Sequence, residues 1–333
     1  MSKLIGFTYD LKSDHPAASG SEPDDLYAEL DREETIDEVC TALASGGYRT
    51  LRIGNGRQLC ERIREAQGCD LILNICEGVG NRNRESQVPA ILDLYQIPYA
   101  GSDALTLGLT LDKGLAKKVF LTDNVPTPKF FLAGPDTDFE NLDGMRFPFF
   151  VKPSHEGSSK GISDRSIVAD KASLKQQVED IFRLYRQPVL VEEFIRGGEF
   201  TVLVIGNDKP RALAPVQIQI AGHLEAGELV YTSRRLEGDD IVYVCPAKIS
   251  PELDRRMRSI AVRAYQSLGC RDFSRVDFRT NEQGEAFVLE VNPLPALTVD
   301  DVFPLIAKAE GMSYNDLILS IIQEALVRTG RSH

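Results

Sequence analysis

Three oxygen-bearing side chains near the C-terminal end of the chain have the types and spacing of a metal site. Asp277 lies in an apolar run over 274–279, and Glu290 and Asn292 lie two apart in the next run, over 286–293. Residues two apart on a strand face the same side, and a neighbouring strand can bring Asp277 beside them. Such oxygen ligands suit Mg²⁺ that completes its shell with water and phosphate oxygens. The plainer interpretation is two antiparallel strands whose polar residues face water.

A second segment, residues 147–161, predicts a strand that runs into a loop rich in glycine and serine. Its Lys152 supplies a point charge, and Gly157, Ser158 and Ser159 supply amides and hydroxyls that can fold over phosphate oxygens. The Walker A pattern is absent from the sequence. The alternative interpretation is a flexible hairpin.

Further charged residues fit the same chemistry. Arg275 adjoins the oxygen cluster, is always charged and can stabilise negative charge in a transition state. Glu192 and Glu193 end a predicted strand, and Glu199 follows the next turn. Acids at such strand ends can hold an adenine amino group and ribose hydroxyls, although solvated acidic turns are also common. Lys113 could reach a phosphate, but an isolated lysine carries little information by itself.

The composition limits the class of protein. The chain of 333 residues is longer than a single hydrophobic core usually supports, which predicts two or three domains. The net charge of −12, without a basic stripe, argues against a nucleic-acid partner but does not exclude a nucleotide, which local amides, lysines and metal can bind. No signal peptide and no apolar run of roughly 20 residues is visible. The six cysteines contain no C-x-x-C pair and no histidines pair at zinc spacing, so we expect a cytoplasmic protein with reduced cysteines and no membrane span.

Strand and helix patterns alternate over the first hundred residues, which predicts a parallel sheet covered by helices and hence the α/β class. The predicted strands there are 4–9, 50–53 and 71–75, and the predicted helices include 58–66 and one that begins at about 85. Later patterns predict helices over about 112–122, 255–268 and 314–328, and strands over 189–193 and 200–205. The boundaries that follow divide the chain into 1–101, 102–188 and 189–333.

The order of these motifs resembles the ATP-grasp superfamily and, more closely, the D-alanine–D-alanine ligase family. The resemblance covers nearly the whole chain. Its strongest segments are Ile97-Pro-Tyr-Ala-Gly-Ser102, Leu111-Asp-Lys113, Val151-Lys-Pro-Ser-His-Glu-Gly-Ser-Ser159, Arg275-Val-Asp277 and Glu290-Val-Asn292-Pro-Leu-Pro295.

The resemblance implies an ATP-grasp fold of three domains, α/β at the N-terminus and α+β in the ATP-binding part, with ATP held between the two α+β domains. It implies an ATP-dependent carboxylate–amine ligase that forms an amide through an acyl phosphate. The cofactors would be ATP and two Mg²⁺ ions, with Mn²⁺ as a substitute. The partners would be small amino-acid or amine substrates, and a homodimer is compatible with the family.

The resemblance also assigns roles to residues. The residues that would contact the phosphates are Lys113, Lys152 and Ser159. Those that would hold adenine and ribose are Glu192, Glu193 and Glu199, and those that would bind the metal are Asp277, Glu290 and Asn292. Arg275 would stabilise the tetrahedral intermediate, and Ser158 would orient a substrate. Arg235 takes the place of a family lysine on a mobile loop over ATP. The acid that holds the substrate amine is Asp31, Glu33 or Glu34; Glu33 is the one taken here.

Several positions depart from the family pattern. Glu77-Gly78 replaces a histidine–glycine pair, residues 81–85 replace a Gly-Glu-Asp-Gly stretch, and Leu236 replaces a tyrosine. Asp301 falls where the family has a serine that holds the acceptor carboxylate. With Glu77 and Asp300, it would create an acidic pocket that favours an acceptor without a carboxylate or with an extra positive charge.

Three functions remain open from the sequence. They are synthesis of D-alanyl-D-alanine, a sister peptide or amide ligase with another substrate pair, and a nucleotide-binding protein without ligation. Damaged metal ligands would favour the third. All three ligands are present, which favours a ligase, and the altered amino-acid pocket favours the sister ligase.

Overall fold

Three β-sheets organise the chain in a computed structural model. The residues described are 2–15, 23–80, 82–140, 142, 144–238 and 240–331, without the side chains of Ser233 and Glu237. No helix among these residues is long and apolar enough to cross a membrane.

The first sheet is parallel, as the alternating pattern predicts. Its strands are β1 (Leu4–Thr8), β2 (Arg49–Gly54), β3 (Leu71–Asn74) and β4 (Tyr99–Ala100), in the order β2-β1-β3-β4. Its helices are α1 (Glu33–Ser45), α2 (Gly56–Glu61), α3 (Ile63–Ala66) and α4 (Gln87–Leu94). The helix predicted over 58–66 is interrupted at Arg62, whose guanidinium turns back to donate to the carbonyl oxygen of Arg52 at 2.6 Å.

Two helices lie end to end after the first sheet: α5 (Ala104–Leu111), which the sequence patterns did not predict, and α6 (Lys113–Thr122), which they did. Asp103 caps α5 through the amide of Thr106, and Asp112 caps α6 through the amide of Leu115. Asp112 thus ends α5 and caps α6.

The second sheet is antiparallel. It contains β5 (Phe130–Ala133), β6 (Phe149–Pro153), β7 (Ile167–Val168) and β8 (Val189–Glu193), in the order β5-β8-β6-β7, with α7 (Lys171–Tyr185) packed against it. The predicted boundary after residue 188 is therefore wrong at β8. This strand hydrogen bonds to β5 on one side and β6 on the other, so the change of sheet comes after Glu193.

The third sheet carries the predicted metal ligands. Its strands are β9 (Glu199–Ile205), β10 (Arg211–Ala212), β11 (Val216–Ile220), β12 (Ile241–Val244), β13 (Phe273–Thr280) and β14 (Ala286–Asn292), in the order β12-β11-β9-β13-β14 with β10 on β9. The helices here are α8 (Ser233–Glu237), α9 (Pro251–Ser267), α10 (Phe303–Ala309) and α11 (Tyr314–Arg328). The last helix returns to pack on α1, so one apolar core joins the first sheet to the C-terminal helices.

Candidate active site

A cavity of about 600 Å³ lies where the three sheets meet. Asp31 precedes α1 in the first part of the chain, Ser158 follows β6 in the second, and Asp277 lies on β13 in the third, and all three line the cavity. The fold thus brings together residues that are far apart in sequence.

The predicted oxygen cluster forms on β13 and β14. The two strands are antiparallel with Asp277 opposite Glu290 and Arg275 opposite Asn292, as the spacing of two predicts. Asn292 Nδ2 donates to Asp277 Oδ2 at 2.7 Å, and Thr201 Oγ1 donates to Asp277 Oδ1 at 2.6 Å. These contacts orient the carboxylate, and the two carboxylates and one amide oxygen are donors that fit Mg²⁺.

Two lysines converge on Glu290 from different elements. Lys113 Nζ, from the start of α6, lies 3.2 Å from Glu290 Oε2, and Lys152 Nζ, from β6, lies 3.9 Å from the same atom. Burial raises the pKa of Glu290, but the two ammonium groups more than offset this and lower it to about 2. Glu290 is therefore ionised, and the cavity wall presents cations beside the oxygen cluster.

Glu192 has a different environment from the one expected. Its Oε1 lies 3.3 Å from Lys152 Nζ and its Oε2 lies 2.8 Å from the Nζ of Lys117, a residue that the sequence analysis missed. Lys117 is completely buried and also donates to Thr127 Oγ1 at 2.6 Å. The carboxylate bridges two lysines, so its adenine contact stays a prediction. The sequence could have indicated Lys117, because it lies four residues after Lys113 and therefore on the same face of a helix.

Glu193 and Glu199 also line the cavity. Glu193 Oε1 accepts from the amide of Arg146 at 3.0 Å, and Glu199 Oε2 lies 3.7 Å from Arg279 Nη1. Burial raises the pKa of Glu199 against the lowering effect of Arg279. The contact of both acids with a nucleoside remains a prediction.

Arg275 lies between two carboxylates. Its Nε is 3.1 Å from Asp277 Oδ1, and its Nη1 is 3.6 Å from Asp301 Oδ2. Asp301 lines the cavity, as the departure from the family pattern suggested. Burial raises the pKa of Asp301, although Arg275 lowers it.

The Gly/Ser loop enters the cavity with Ser158 and Ser159. Both have left-handed backbones, with φ of 46° and 58°, which non-glycine residues seldom adopt. Gly157 before them is held by its amide, which donates to Glu29 Oε1 at 2.6 Å. Neighbouring structure therefore fixes this turn.

Two of the predicted catalytic residues do not face the cavity. Glu33 is at the start of α1 and pairs with Arg52 at 2.6 Å, on the outside of the helix. Arg235 pairs with Asp164 at 2.7 Å and donates to the carbonyl oxygen of Val230. Neither is among the residues that line the cavity, whereas Leu236 is.

Asp31 takes the position expected for Glu33. It lines the cavity, and burial together with Asp10 raises its pKa to about 7. The α1 helix begins two residues after it, so the acid that faces inward is the one before the helix. The sequence register left this choice open.

Glu77 and Asp300, the two other acids of the predicted acidic pocket, differ in their surroundings. Glu77 lines the cavity, and burial and Glu85 raise its pKa well above the ordinary value. Asp300 also lines the cavity, but its side chain is mostly exposed and pairs with Arg32 at 2.8 Å. Asn81, the first residue of the replaced family stretch, lies outside the described residues.

Comparisons with known proteins identify the family of the chain. Residues 129–323 match the family model described as D-ala D-ala ligase C-terminus. The chain is 35% identical to the uncharacterized protein y4sG of Sinorhizobium fredii, over 87% of this chain and 86% of that protein. It is 32% identical to the D-alanine–D-alanine ligase of Carboxydothermus hydrogenoformans, over 88% and 92%. The crystal structure of the D-alanine–D-alanine ligase of Bacillus anthracis superposes with a TM-score of 0.77 at 25% identity and covers both chains fully.

Proposed function

The chain belongs to the D-alanine–D-alanine ligase family of ATP-dependent, amide-forming ligases with the ATP-grasp fold, and we propose that the cavity joins an amino-acid carboxylate to an amine. The observation that supports this most directly is the convergence of Lys113 and Lys152 on Glu290, opposite Asp277. Cations beside oxygen ligands are what phosphoryl transfer requires.

The proposed reaction has two steps. An oxygen of the donor carboxylate attacks the γ-phosphorus of ATP, the bond to the β-phosphate oxygen breaks, and ADP leaves. The acceptor amine then attacks the acyl-phosphate carbonyl, loses a proton, and phosphate leaves with one oxygen of the donor. Asp31 and Arg275 line the cavity. In the proposed reaction Asp31 would hold the donor ammonium, and Arg275 would stabilise the oxyanion of the tetrahedral intermediate.

The proposed metal ligands are Asp277, Glu290 and Asn292. Bound Mg²⁺ would supply positive charge to the phosphate oxygens. Lys113 and Lys152, whose Nζ atoms lie 3.2 and 3.9 Å from Glu290 Oε2, would neutralise the remaining charge. A cytoplasmic location and a homodimer stay predictions.

An isotope experiment tests the route. Purified protein with Mg-ATP and single or paired amino acids should release ADP, phosphate and an amide in equal amounts. A donor labelled with ¹⁸O in its carboxylate should transfer one label to phosphate, detected by mass spectrometry. Formation of AMP and pyrophosphate, or phosphate without label, would contradict the acyl phosphate.

The position of Asp301 favours a substrate pair other than two D-alanine molecules. An acceptor carboxylate beside Arg275 would also meet Asp301, 3.6 Å from that guanidinium. Two like charges about 4 Å apart repel by ~1 kcal/mol in water and by ~4 kcal/mol at an effective dielectric of 20. An acceptor whose carboxylate is absent or neutralised avoids this repulsion.

Matched acceptors test this preference. Wild-type protein should use D-alanine amide better than D-alanine, and Asp301→Ser should improve kcat/KM for D-alanine by about tenfold, which corresponds to ~1.4 kcal/mol. Asp136→Ser removes the same charge from an exposed residue that does not line the cavity and should have little effect. A wild type that already prefers D-alanine would favour D-alanyl-D-alanine synthesis instead.

A further inference from the structure

A buried ion network joins the segment before α1 to the Gly/Ser loop. The Glu29 carboxylate is its centre: Arg84 Nη2 donates to both of its oxygens, at 2.7 and 2.8 Å, and Lys160 Nζ lies 2.7 Å from Oε2. All three side chains are almost completely buried. Glu156 extends the network through Lys160 and lies 3.7 Å from Arg84.

The network holds the backbone of the loop at several points. Glu29 Oε1 accepts from the Gly157 amide at 2.6 Å, and Arg84 Nη1 donates to the carbonyl oxygen of His155 at 2.8 Å. Asp25 accepts from the Gly161 amide at 2.8 Å. These contacts lie on both sides of the left-handed Ser158–Ser159 turn. A sparsely populated backbone conformation persists only where its surroundings fix it, and these contacts supply that restraint.

The residue at position 157 is a glycine, which leaves room for the contact between its backbone and the Glu29 carboxylate. A Cβ atom there would lie 2.6 Å from Glu29 Oε1, so any side chain at this position requires the Glu29 carboxylate to move. The backbone of Gly157 is not in the left-handed region, so the approach of Glu29 is what requires a glycine. Burial raises the pKa of Glu29, but Arg84 and Lys160 lower it overall, so the carboxylate is ionised.

We propose that Glu29, held by Arg84 and Lys160, is a positioning residue that fixes the Ser158–Ser159 turn over the cavity for ligation. The assignment rests on the proposed function of the cavity. Arg84 lies in residues 81–85, the stretch that departs from the family pattern. In this proposal that stretch supplies the guanidinium that orients the Glu29 carboxylate.

Hydrogen exchange tests the restraint without substrate. Glu29→Gln keeps the shape but loses the charge that pairs with Arg84 and Lys160, and amides in a peptide over 155–162 should exchange at least about tenfold faster. Glu140→Gln removes the charge of an exposed carboxylate paired with Lys171 and should leave exchange in that peptide unchanged. Unchanged exchange in Glu29→Gln would overturn the proposal.

Kinetics test whether the reaction uses the restraint. Glu29→Gln should lower kcat for amide formation by about 10- to 100-fold, because a misplacement of about 1 Å can cost 100-fold. Thermal unfolding shows whether the variant is folded. Unchanged kcat would overturn the positioning role. An increase in the KM for the donor without a change in kcat would also overturn it, because that result would make Glu29 a substrate ligand. An inactive wild type would contradict the proposed function, while exchange would still decide the restraint.

A double-mutant cycle guards against general loss of structure. Gly157→Ala should displace the Glu29 carboxylate and lower kcat like Glu29→Gln. In a Glu29→Ala background the new methyl group has room, so Gly157→Ala should cause little further loss. Gly134→Ala, where no atom lies within 4 Å of the added carbon, is the matched glycine control. Fully additive losses would contradict a contact between the two residues.

Discussion

Glu290 is the residue that joins the proposed metal ligands to the two lysines proposed to bind phosphate. Glu290→Gln is nearly isosteric but removes the charge that faces Lys113 and Lys152. We expect kcat to fall by more than about tenfold, a barrier increase above ~1.4 kcal/mol, with weaker Mg²⁺ binding by calorimetry. Glu282→Gln, an exposed change in the same β13–β14 hairpin, is the control. Retention of more than about a tenth of the wild-type rate would reject the assignment.

Asp31 should link pH to stability. Its pKa is raised from 3.8 to about 7 in the fold, so the unfolded chain ionises first as pH rises from 4 to 7. In that window the folded state binds more protons, and stability falls with pH because of this group. Asp31→Asn removes the dependence and should stabilise the ligand-free protein at pH 8 more than at pH 5, while amide formation falls.

Urea unfolding at the two pH values measures this effect. Asp136→Asn, at an exposed position, should show no comparable difference between them. An Asp31→Asn stability gain that is equal at both pH values would show that the carboxylate is not held protonated by the fold.

Side chains on paired strands were the predictable part of the site. A spacing of two fixed the common face of Glu290 and Asn292, and the structure puts Asp277 opposite Glu290. Glu33 was misjudged because a charge next to a helix start does not reveal which residue faces inward. That depends on tertiary packing, which periodicity does not encode.

Helix α6 and strand β8 meet through a buried charge pair. Lys117 lies 2.8 Å from Glu192, and Glu192 lies 3.3 Å from Lys152. Lys117→Met keeps the length of the side chain but leaves Lys152 as the only cation paired with Glu192 among the residues that the structure describes. We expect a loss of about 1–3 kcal/mol of unfolding free energy and a higher KM for ATP, because Lys152 is drawn towards Glu192.

A matched control and a second-site change make this test specific. Lys118→Met, at the next and exposed position of α6, should change neither quantity. Adding Glu192→Gln to Lys117→Met should cost further stability, because it leaves the buried Lys152 without the carboxylate that lies 3.3 Å away. Unchanged or raised stability in the double variant would show that Glu192 does not hold the two lysines together.

Predictability at the scale of elements followed the strength of the local pattern. Helix α11 was predicted with the bounds that the structure has, because its apolar face repeats regularly over 15 residues. Helix α5 was missed, since its glycine and two threonines weaken a helical pattern of only eight residues. The placement of β8 in the second sheet depends on long-range pairing that no local pattern carries.

At the scale of the whole molecule, the C-terminal helix returns to the first sheet and is fastened there by Asp272. This fully buried carboxylate accepts from the Gly101 amide at 2.8 Å and from Arg328 Nε and Nη2 at 2.9 and 2.7 Å. Asn207 Nδ2 donates to it at 3.0 Å. One side chain thus ties the end of β4, the third sheet and α11 together.

Asp272→Asn should therefore destabilise the whole chain. Removal of one partner from a buried ion pair costs about 3–5 kcal/mol, and the partial exposure of Arg328 places the expected loss near the lower limit, at about 3 kcal/mol. Asp180→Asn, which breaks an exposed pair with Arg183, should cost less than about 1 kcal/mol. Urea unfolding measures both, and a loss below about 1 kcal/mol in Asp272→Asn would show that apolar packing of α11 on α1 is sufficient. The double variant Asp272→Asn, Arg328→Met separates two causes of the loss. If the unpaired guanidinium of Arg328 causes most of it, the double variant should be more stable than Asp272→Asn alone. If the weakened hydrogen bond to the Gly101 amide causes most of it, the second change should recover nothing.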